Sequence, residues 1–483
     1  MTRSPPLAGR IAQGCLVLLV GLALDAHAVD PPAPVPLGAA GAQDAAPRTP
    51  DIVPGRVYSL PELIDIAQLR NPLTRVAWEQ ARQAALAEGM VAATFLPFIS
   101  ASVIGGRQQY TATPSIGSVN AAPIDGTVSG AWPQLALQWL LFDFGKRDAD
   151  RDVARHNAAA AGMLFNGVHQ RIVYDVTRAY YLYDAARSRV RIAQQSLADS
   201  RQIEDAALAR ARQGVATSVA VAQARQMVAQ ARFGLVQGEG AERDAYQALL
   251  AAMGVGPMTA LEVQAEVERR LPDGIAPTEQ MIATALAQRP DVLASASALE
   301  ASRAGIQAAQ ADYMPKVFLS ASIGSLSTNF GFNGAPNIGQ QFSGNSVLLG
   351  VLLPLYDGGL RSTRAQQAQS LVAETEAVFE KTKDGAAREI VVSANVLRSA
   401  LASYHAASAL VEAAAVTYDA ALESYRHGVA DISAASAAHD GLLAARRAQV
   451  DAYAASLVGA ANVAFVLGTM TSADAPGAMR ARP

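Results

Sequence analysis

The sequence predicts an α+β membrane protein made of tandem-duplicated, long α-helical coiled-coil hairpins plus four transmembrane β-strands. Three observations predict it. The chain has 24 prolines, yet residues 134–256 and 355–475 contain none, as two long helical hairpins require, because proline breaks a helix interior. The two stretches also repeat each other 214 positions apart. Phe142-Asp143-Phe144-Gly145-Lys146-Arg147 answers Tyr356-Asp357-Gly358-Gly359-Leu360-Arg361, Gly214-Val215 answers Gly428-Val429, and Met253-Gly254 answers Leu467-Gly468, the mark of a tandem duplication. Finally, apolar residues alternate with small or polar ones ahead of each repeat's Asp-x-Gly, the period of a strand with one apolar face.

The elements follow in chain order. Residues 1–28 read as a secretory signal: Arg3 and Arg10 precede an apolar run from Ile11 to Leu24, and Ala26-His27-Ala28 is a small-x-small cleavage site. Cys15, the only cysteine, lies inside the apolar run, so lipid attachment there is not expected, and a cleaved chain carries no thiol, disulfide or cysteine metal ligand. Cleavage would leave 37 basic and 41 acidic residues, a net charge near −4. That balance does not suggest a nucleic-acid partner. After residue 28 no window has the eighteen apolar residues of a membrane helix, so entry into a membrane would have to be by strands.

Residues 29–57 are rich in proline and alanine and predict an extended arm. The first repeat spans 58–256, an equatorial linker 257–277, the second repeat 278–470 and a flexible tail 471–483. Ser59-Leu60-Pro61-Glu62 opens the first repeat with a capping-box pattern. Upstream of residue 142 the repeats are offset by 218, with Asn71-Pro72 against Arg289-Pro290 and Phe95-Leu96-Pro97 against Tyr313-Met314-Pro315. The change from 218 to 214 puts a length difference between residues 97 and 142, as surface loops tolerate.

The strands are expected at Ile99–Ile104, at Gln134–Leu141, at Val317–Gly324 and at Ser346–Leu355. Long glycine- and serine-rich loops, about Gly105–Gly130 and Ser325–Asn345, should join them. Four strands leave two open edges, which lipid does not tolerate, and about eight are needed to close a barrel. Several copies must therefore share one barrel, and three would give twelve strands.

From Arg147 to Gln213 there are 67 residues, roughly 100 Å of continuous helix. Ile172, Val176, Ala179, Tyr183, Ala186, Val190, Ala193 and Leu197 alternate spacings of four and three, a coiled-coil seam. Ile390, Ser393, Leu397, Ala400, Tyr404, Ala407 and Val411 take the matching places in the second repeat. The return helices, Ser218–Gly254 and Ile432–Gly468, are shorter, and the helices ending near Pro97 and Pro315 supply the missing length.

These junctions are specific. Leu96-Pro97, Met314-Pro315, Leu141-Phe142-Asp143-Phe144-Gly145, Leu355-Tyr356-Asp357-Gly358-Gly359, Arg212-Gln213-Gly214-Val215, Tyr425-Arg426-His427-Gly428-Val429 and Gln288-Arg289-Pro290-Asp291-Val292 together resemble the TolC-type outer-membrane factor family of Gram-negative bacteria, over roughly residues 58–470. The resemblance implies a homotrimer, a twelve-stranded barrel in outer-membrane lipid and a twelve-helix tunnel through the periplasm. It also implies docking of the tips, Gly214, Val215, Gly428 and Val429, to a periplasmic adaptor (membrane fusion) protein and an inner-membrane pump, an RND or ABC transporter. Family members narrow the tunnel with acidic rings after the second tip. Here the matching places hold Ala434 and Ala437, leaving Asp431 and Asp440 as candidate gate acids. Tyr425 matches a family position that hydrogen-bonds between hairpins, although its expected acidic partner is replaced by Val219 and Ala220.

The function this implies is a passive exit duct for small-molecule efflux or type I protein secretion. The competing reading is a periplasmic coiled-coil scaffold that never enters the membrane. No nucleophile, base and orienting acid cluster in sequence, so no enzyme is expected. No cofactor is expected either, and His156, His169, His405, His427 and His439 show no metal-ligand spacing.

Overall fold

The computed structural model describes residues 52–470, apart from 54, 114, 117–118, 121–122, 266–270, 273 and 333–335. The signal segment with Cys15, most of the 29–57 arm and the 471–483 tail lie outside the described residues.

The duplication reappears element by element. Strand β1 (Val57–Tyr58) is followed by α1 (Leu60–Arg70), α2 (Pro72–Ala93), β2 (Phe98–Ala112), β3 (Ser115–Ile116), β4 (Val119–Asn120), β5 (Ile124–Phe142), α3 (Lys146–Arg212) and α4 (Ser218–Met253). After β6 (Glu262–Val263) come α5 (Thr278–Gln288), α6 (Pro290–Ala311), β7 (Lys316–Phe332), β8 (Ile338–Leu352), α7 (Leu360–Arg426) and α8 (Ile432–Val466). Both long helices, α3 and α7, have 67 residues. Each repeat opens with a pair of helices of 11 and 22 residues.

The compact units do not follow the repeats, because each draws on both. One comprises residues 83–158 and 304–367, and the other takes its described residues from 44–82, 159–303 and 368–470.

The first unit holds an antiparallel sheet of order β2-β5-β7-β8. Its ladders run from Phe98↔Gln138 to Ala112↔Ile124 and from Lys316↔Leu352 to Phe330↔Ile338, with a bulge between Leu140 and Phe142 where β5 meets β7. This corrects two expectations. Most of the expected loops, Gly105–Gly130 and Ser325–Asn345, are strand, since neighbouring strands satisfy their backbone whatever the weak propensity of glycine and serine. The last strand also stops at Leu352, two residues before Pro354 would remove a ladder donor.

The strands meet their helices in two matching elbows. Asp143 caps the start of α3, accepting from Arg147 N at 3.1 Å and from Arg147 Nε at 2.9 Å. The Arg147 guanidinium also donates to the carbonyls of Thr94 and Leu140 and lies 4.6 Å from the centre of the Phe95 ring. Asp357, Arg361 and Tyr313 repeat the arrangement at the start of α7. Phe144 has φ 56° where the second repeat has Gly358 at 68°, a left-handed backbone that costs a residue with a side chain about 1 kcal/mol or more.

The second unit is helical. Seam residues Ile172, Val176, Ala179, Ala186, Val190, Ala193 and Leu197 on α3 are buried, as are Ile390, Ser393, Leu397, Ala400 and Ala407 on α7. Two features lie where no regular structure was expected. Val57–Tyr58, at the end of the arm, pairs in parallel with Glu262–Val263 in the linker, and these small strands border a core formed by Leu63, Ile64, Ile172, Val176, Leu250 and Met253. Ser59 N and Oγ both donate to Glu62 Oε2 at 2.9 Å, the reciprocal half of a capping box. Gly254 and Gly468, at φ 69° and 71°, close α4 and α8 against Asn71 and Arg289 so tightly that a Cβ would lie 2.7 and 2.9 Å from those Cα atoms. Among the described residues no helix is long and apolar enough to cross a membrane.

Candidate functional site

The candidate site is the pair of hairpin tips. At the first, Gly214 N donates to Ala211 O and Val215 N to Arg210 O, both at 3.0 Å. At the second, Gly428 N donates to Tyr425 O at 3.1 Å and Val429 N to Ser424 O at 2.9 Å. Both are Schellman closures, in which a left-handed residue lets the chain satisfy the last helix carbonyls. Gly214 and Gly428 take that place, at φ 74° and 80°. The valine that follows usually packs back on its own helix, but here Val215 is 60% and Val429 83% exposed. Each tip therefore offers an apolar side chain to water.

The returning helices are capped differently. Thr217 Oγ1 accepts from Ala220 N at 3.2 Å to start α4. Asp431 starts α8, accepting from Ser433 N at 2.9 Å, from Ala434 N at 3.1 Å and from Ser433 Oγ. The hydrogen bond from the Ser433 hydroxyl, followed by those from the Ala434 and Ser433 amides, holds the Asp431 carboxyl below its ordinary value. A carboxyl whose pKa falls on folding adds stability that is complete above its unfolded value, near 4, and is lost as pH falls through the lower folded value. Protection of the Ser433 and Ala434 amides from hydrogen exchange, corrected for intrinsic rate, is expected to drop as pH falls from about 4 through that lower value. In Asp431→Asn, which keeps the cap without the charge, the drop should vanish. An unchanged drop in the variant would assign it to another group.

Asp440 stands apart from Asp431. It lies nine residues on, about two and a half turns along the helix that Asp431 caps. Its side chain is 73% exposed and 3.3 Å from His439 Nδ1, and it lines a polar groove with Gln223, Gln226, Gln230, Ser436 and Arg447. The structure does not bring the two acids together.

Tyr425 does join the hairpins, but not through its hydroxyl. It is 2% exposed, packed with Ile203, Ala207, Leu422, Ile432 and Ala435, and its hydroxyl has no hydrogen-bond partner among the described residues. The link is Arg210 on α3. Its Nη1 donates to Tyr425 O at 2.7 Å and to Ala430 O at 3.4 Å, and its guanidinium lies 4.8 Å from the Tyr425 ring centre. One side chain of the first hairpin thus ties down the closing turn of the second. The sequence reading missed Arg210, although one signal was there: the repeat has Ser424 and Ala211 where this pair has Arg210 and Tyr425, so the contact is made by one hairpin only.

Deeper in the same core, His439 Nε2 is 3.1 Å from Ser196 Oγ. Tyr418 stands near, its phenol pushed up to about 12 by burial and the charge of Asp199.

A family model described as outer membrane efflux protein matches residues 63–255 and 281–469. The chain belongs to the outer membrane efflux protein family. Protein CyaE of Bordetella pertussis is 27% identical over 72% of this chain and 71% of its own length. Outer membrane protein OprJ of Pseudomonas aeruginosa is 27% identical over 61% of this chain and 60% of its own. In fold, the chain is similar to the CusC structure, with TM-score 0.70 and 21% identity over 91% of this chain and 98% of that one. As a member of the efflux protein family it is a transport component of the outer membrane that extends into the periplasm, the exit duct of an export system.

Proposed function

We propose that three copies of this chain close their sheets into one twelve-stranded barrel and act as the passive, non-enzymatic outer-membrane duct of a tripartite export system. A periplasmic adaptor docks on Gly214, Val215, Gly428 and Val429, an inner-membrane RND or ABC transporter supplies the energy, and outer-membrane lipid surrounds the barrel. The observation that carries this reading is the open sheet. Its end strands β2 and β8 each have 15 residues with one edge unpaired, and each unpaired backbone group in hydrocarbon costs several kcal/mol. Pairing β8 of one copy with β2 of the next removes every edge. The sheet face that would meet lipid carries Ile99, Leu135, Leu137, Trp139, Leu319, Ile323, Val347, Leu349 and Val351, and Val347, Leu349 and Val351 are each more than two-thirds exposed in the single chain. At rest the tips are held shut by the Arg210–Tyr425 clasp, with Asp431 and Asp440 as further candidates.

Mass measurement of the detergent-extracted protein should give a threefold species that heat dissociates. A stable monomer with full strand content rejects the barrel. For the tips, Val215→Ser with Val429→Ser is expected to abolish cross-linking to the adaptor and leave the trimer intact; undiminished cross-linking would remove these valines from the docking surface.

A further inference from the structure

The polarity of the sheet inverts halfway along its strands. Crossing a bilayer takes about 9–11 strand residues, but these strands run to 15, 19, 17 and 15. Near the helix junctions the apolar face is the one given above; the opposite face carries Phe98, Leu140, Phe318 and Leu348 next to the helices and then two small and polar rows, Ser100, Ala136, Ser322 and Ser346 followed by Ser102, Gln134, Gly324 and Gly344, in register across the ladders. Beyond Val103, toward the strand ends remote from the helices, the first face becomes Arg107, Gln109, Ser129, Ser327, Asn329 and Gln341, while the second gains Ile104, Trp132, Leu326 and Phe342.

Those four residues form one row. Ile104 is the register partner of Trp132, and Leu326 that of Phe342. The β5–β7 ladder runs from Ala131↔Ser327 to Gln134↔Gly324, which sets Trp132 opposite Leu326. In the single chain they are 62%, 44%, 37% and 56% exposed. Four positions further on, past a row of Gly106, Gly130, Thr328 and Gln340, Val128, Phe330 and Ile338 make a second apolar row on the same face. Two aromatic rings of this face lie against glycines of the neighbouring strand: a Cβ on Gly324 would come within 3.2 Å of Trp132 Nε1, and one on Gly126 within 2.5 Å of Tyr110 Cζ. The rings are fixed against the wall.

A half-sheet whose outer face is polar stands above the lipid in water. Its apolar face can be buried only by turning inward on a closed barrel. We propose that Ile104, Trp132, Leu326 and Phe342, repeated three times, form an apolar collar inside the outer mouth of the duct, which passes amphipathic or apolar cargo and resists hydrated ions. The collar rests on the three-copy barrel. Its physical basis is the cost of bringing a charge and its water shell through an apolar constriction, a cost that a molecule with apolar surface does not bear.

The test is access from outside. Ser102→Cys places a thiol on the polar inner face, two residues below the collar, and Gln341→Cys places one on the outer face just above it. Because Cys15 is the only native cysteine, the unsubstituted chain gives the background. A negatively charged, membrane-impermeant thiol reagent added to intact cells should label Gln341→Cys rapidly and Ser102→Cys at least about tenfold more slowly. Adding Trp132→Ser and Phe342→Ser should close most of that gap, and a small neutral reagent should label Ser102→Cys rapidly in both backgrounds. Should that pair of substitutions prevent assembly, Ile104→Ser with Leu326→Ser opens the same row. Equal rates at the two positions with the collar intact, or slow labelling that the collar substitutions leave unchanged, overturn the proposal. Mass measurement on the same preparations separates the two claims: a monomer rejects the barrel and the collar together, whereas a trimer with unaltered rates rejects only the collar.

Discussion

Asp143→Ala is expected to destabilise the protein by about 3–5 kcal/mol, the cost of leaving a buried charge without its partner. The Arg147–Asp143 pair is nearly closed to solvent, with side chains 10% and 5% exposed, and Arg147 also donates to Thr94 O at 3.0 Å and Leu140 O at 2.8 Å. Removing the carboxylate leaves the cation in place with only carbonyl dipoles and the Phe95 ring around it. The repeat supplies an internal control. Asp357 and Arg361 make the same contact at 2.7 Å, but their side chains are 24% and 12% exposed, so water can replace the lost carboxylate and Asp357→Ala should be the milder change. The measurement is the midpoint of heat dissociation of the detergent-solubilised assembly. Equal losses for the two variants would mean that burial does not set the strength of these elbows.

Arg210→Ala is expected to loosen the tips by about 2–3 kcal/mol and raise single-channel conductance in planar bilayers several-fold. Hydrogen bonds from a charged donor contribute about 1.5–3 kcal/mol and a cation over an aromatic ring about 0.5–2; the two share one side chain and are not additive. Without the guanidinium, Tyr425 O keeps only its Gly428 amide, and the second tip is left with one exposed tie to α3, from Arg426 Nη2 to Gln202 Oε1 at 3.2 Å. Arg210→Lys keeps the charge but not the planar fork, so an intermediate conductance is expected. Unchanged conductance in an intact Arg210→Ala trimer would show that the clasp does not hold the duct shut. In the same recordings, Asp431→Asn and Asp440→Asn test the acids. Because the two lie about two and a half turns apart along α8, no more than one is expected to alter block by divalent cations.

Much was legible before any coordinates because a duplicated chain reports on itself. Each junction was printed twice, at separations of 214 or 218, and proline and glycine marked the ends of helices whose seam repeated at three and four. The tips could be read for the same reason: a helix that ends in a left-handed residue needs glycine, and both repeats have it. Strand extent could not be read, because Gly105, Gly106, Gly126 and Gly130 have loop propensity and become strand only through neighbours that satisfy their backbone. The polar and apolar positions beyond Val103 had no meaning until register set them side by side.

What the sequence by itself determined about this protein is periodic: the two repeats, the long helices, the glycine tips and an apolar strand face too small to close alone. Those properties depend on residues a few positions apart, whose spacing decides which face of an element they occupy. The tertiary structure alone decided which residues meet across elements: Arg210 on Tyr425, Val57–Tyr58 beside Glu262–Val263, and the row from Ile104 to Phe342. Each of these joins positions far apart in the chain, and nothing local in either segment selects its partner. Packing, backbone pairing and burial select it, and they exist only once the chain has folded.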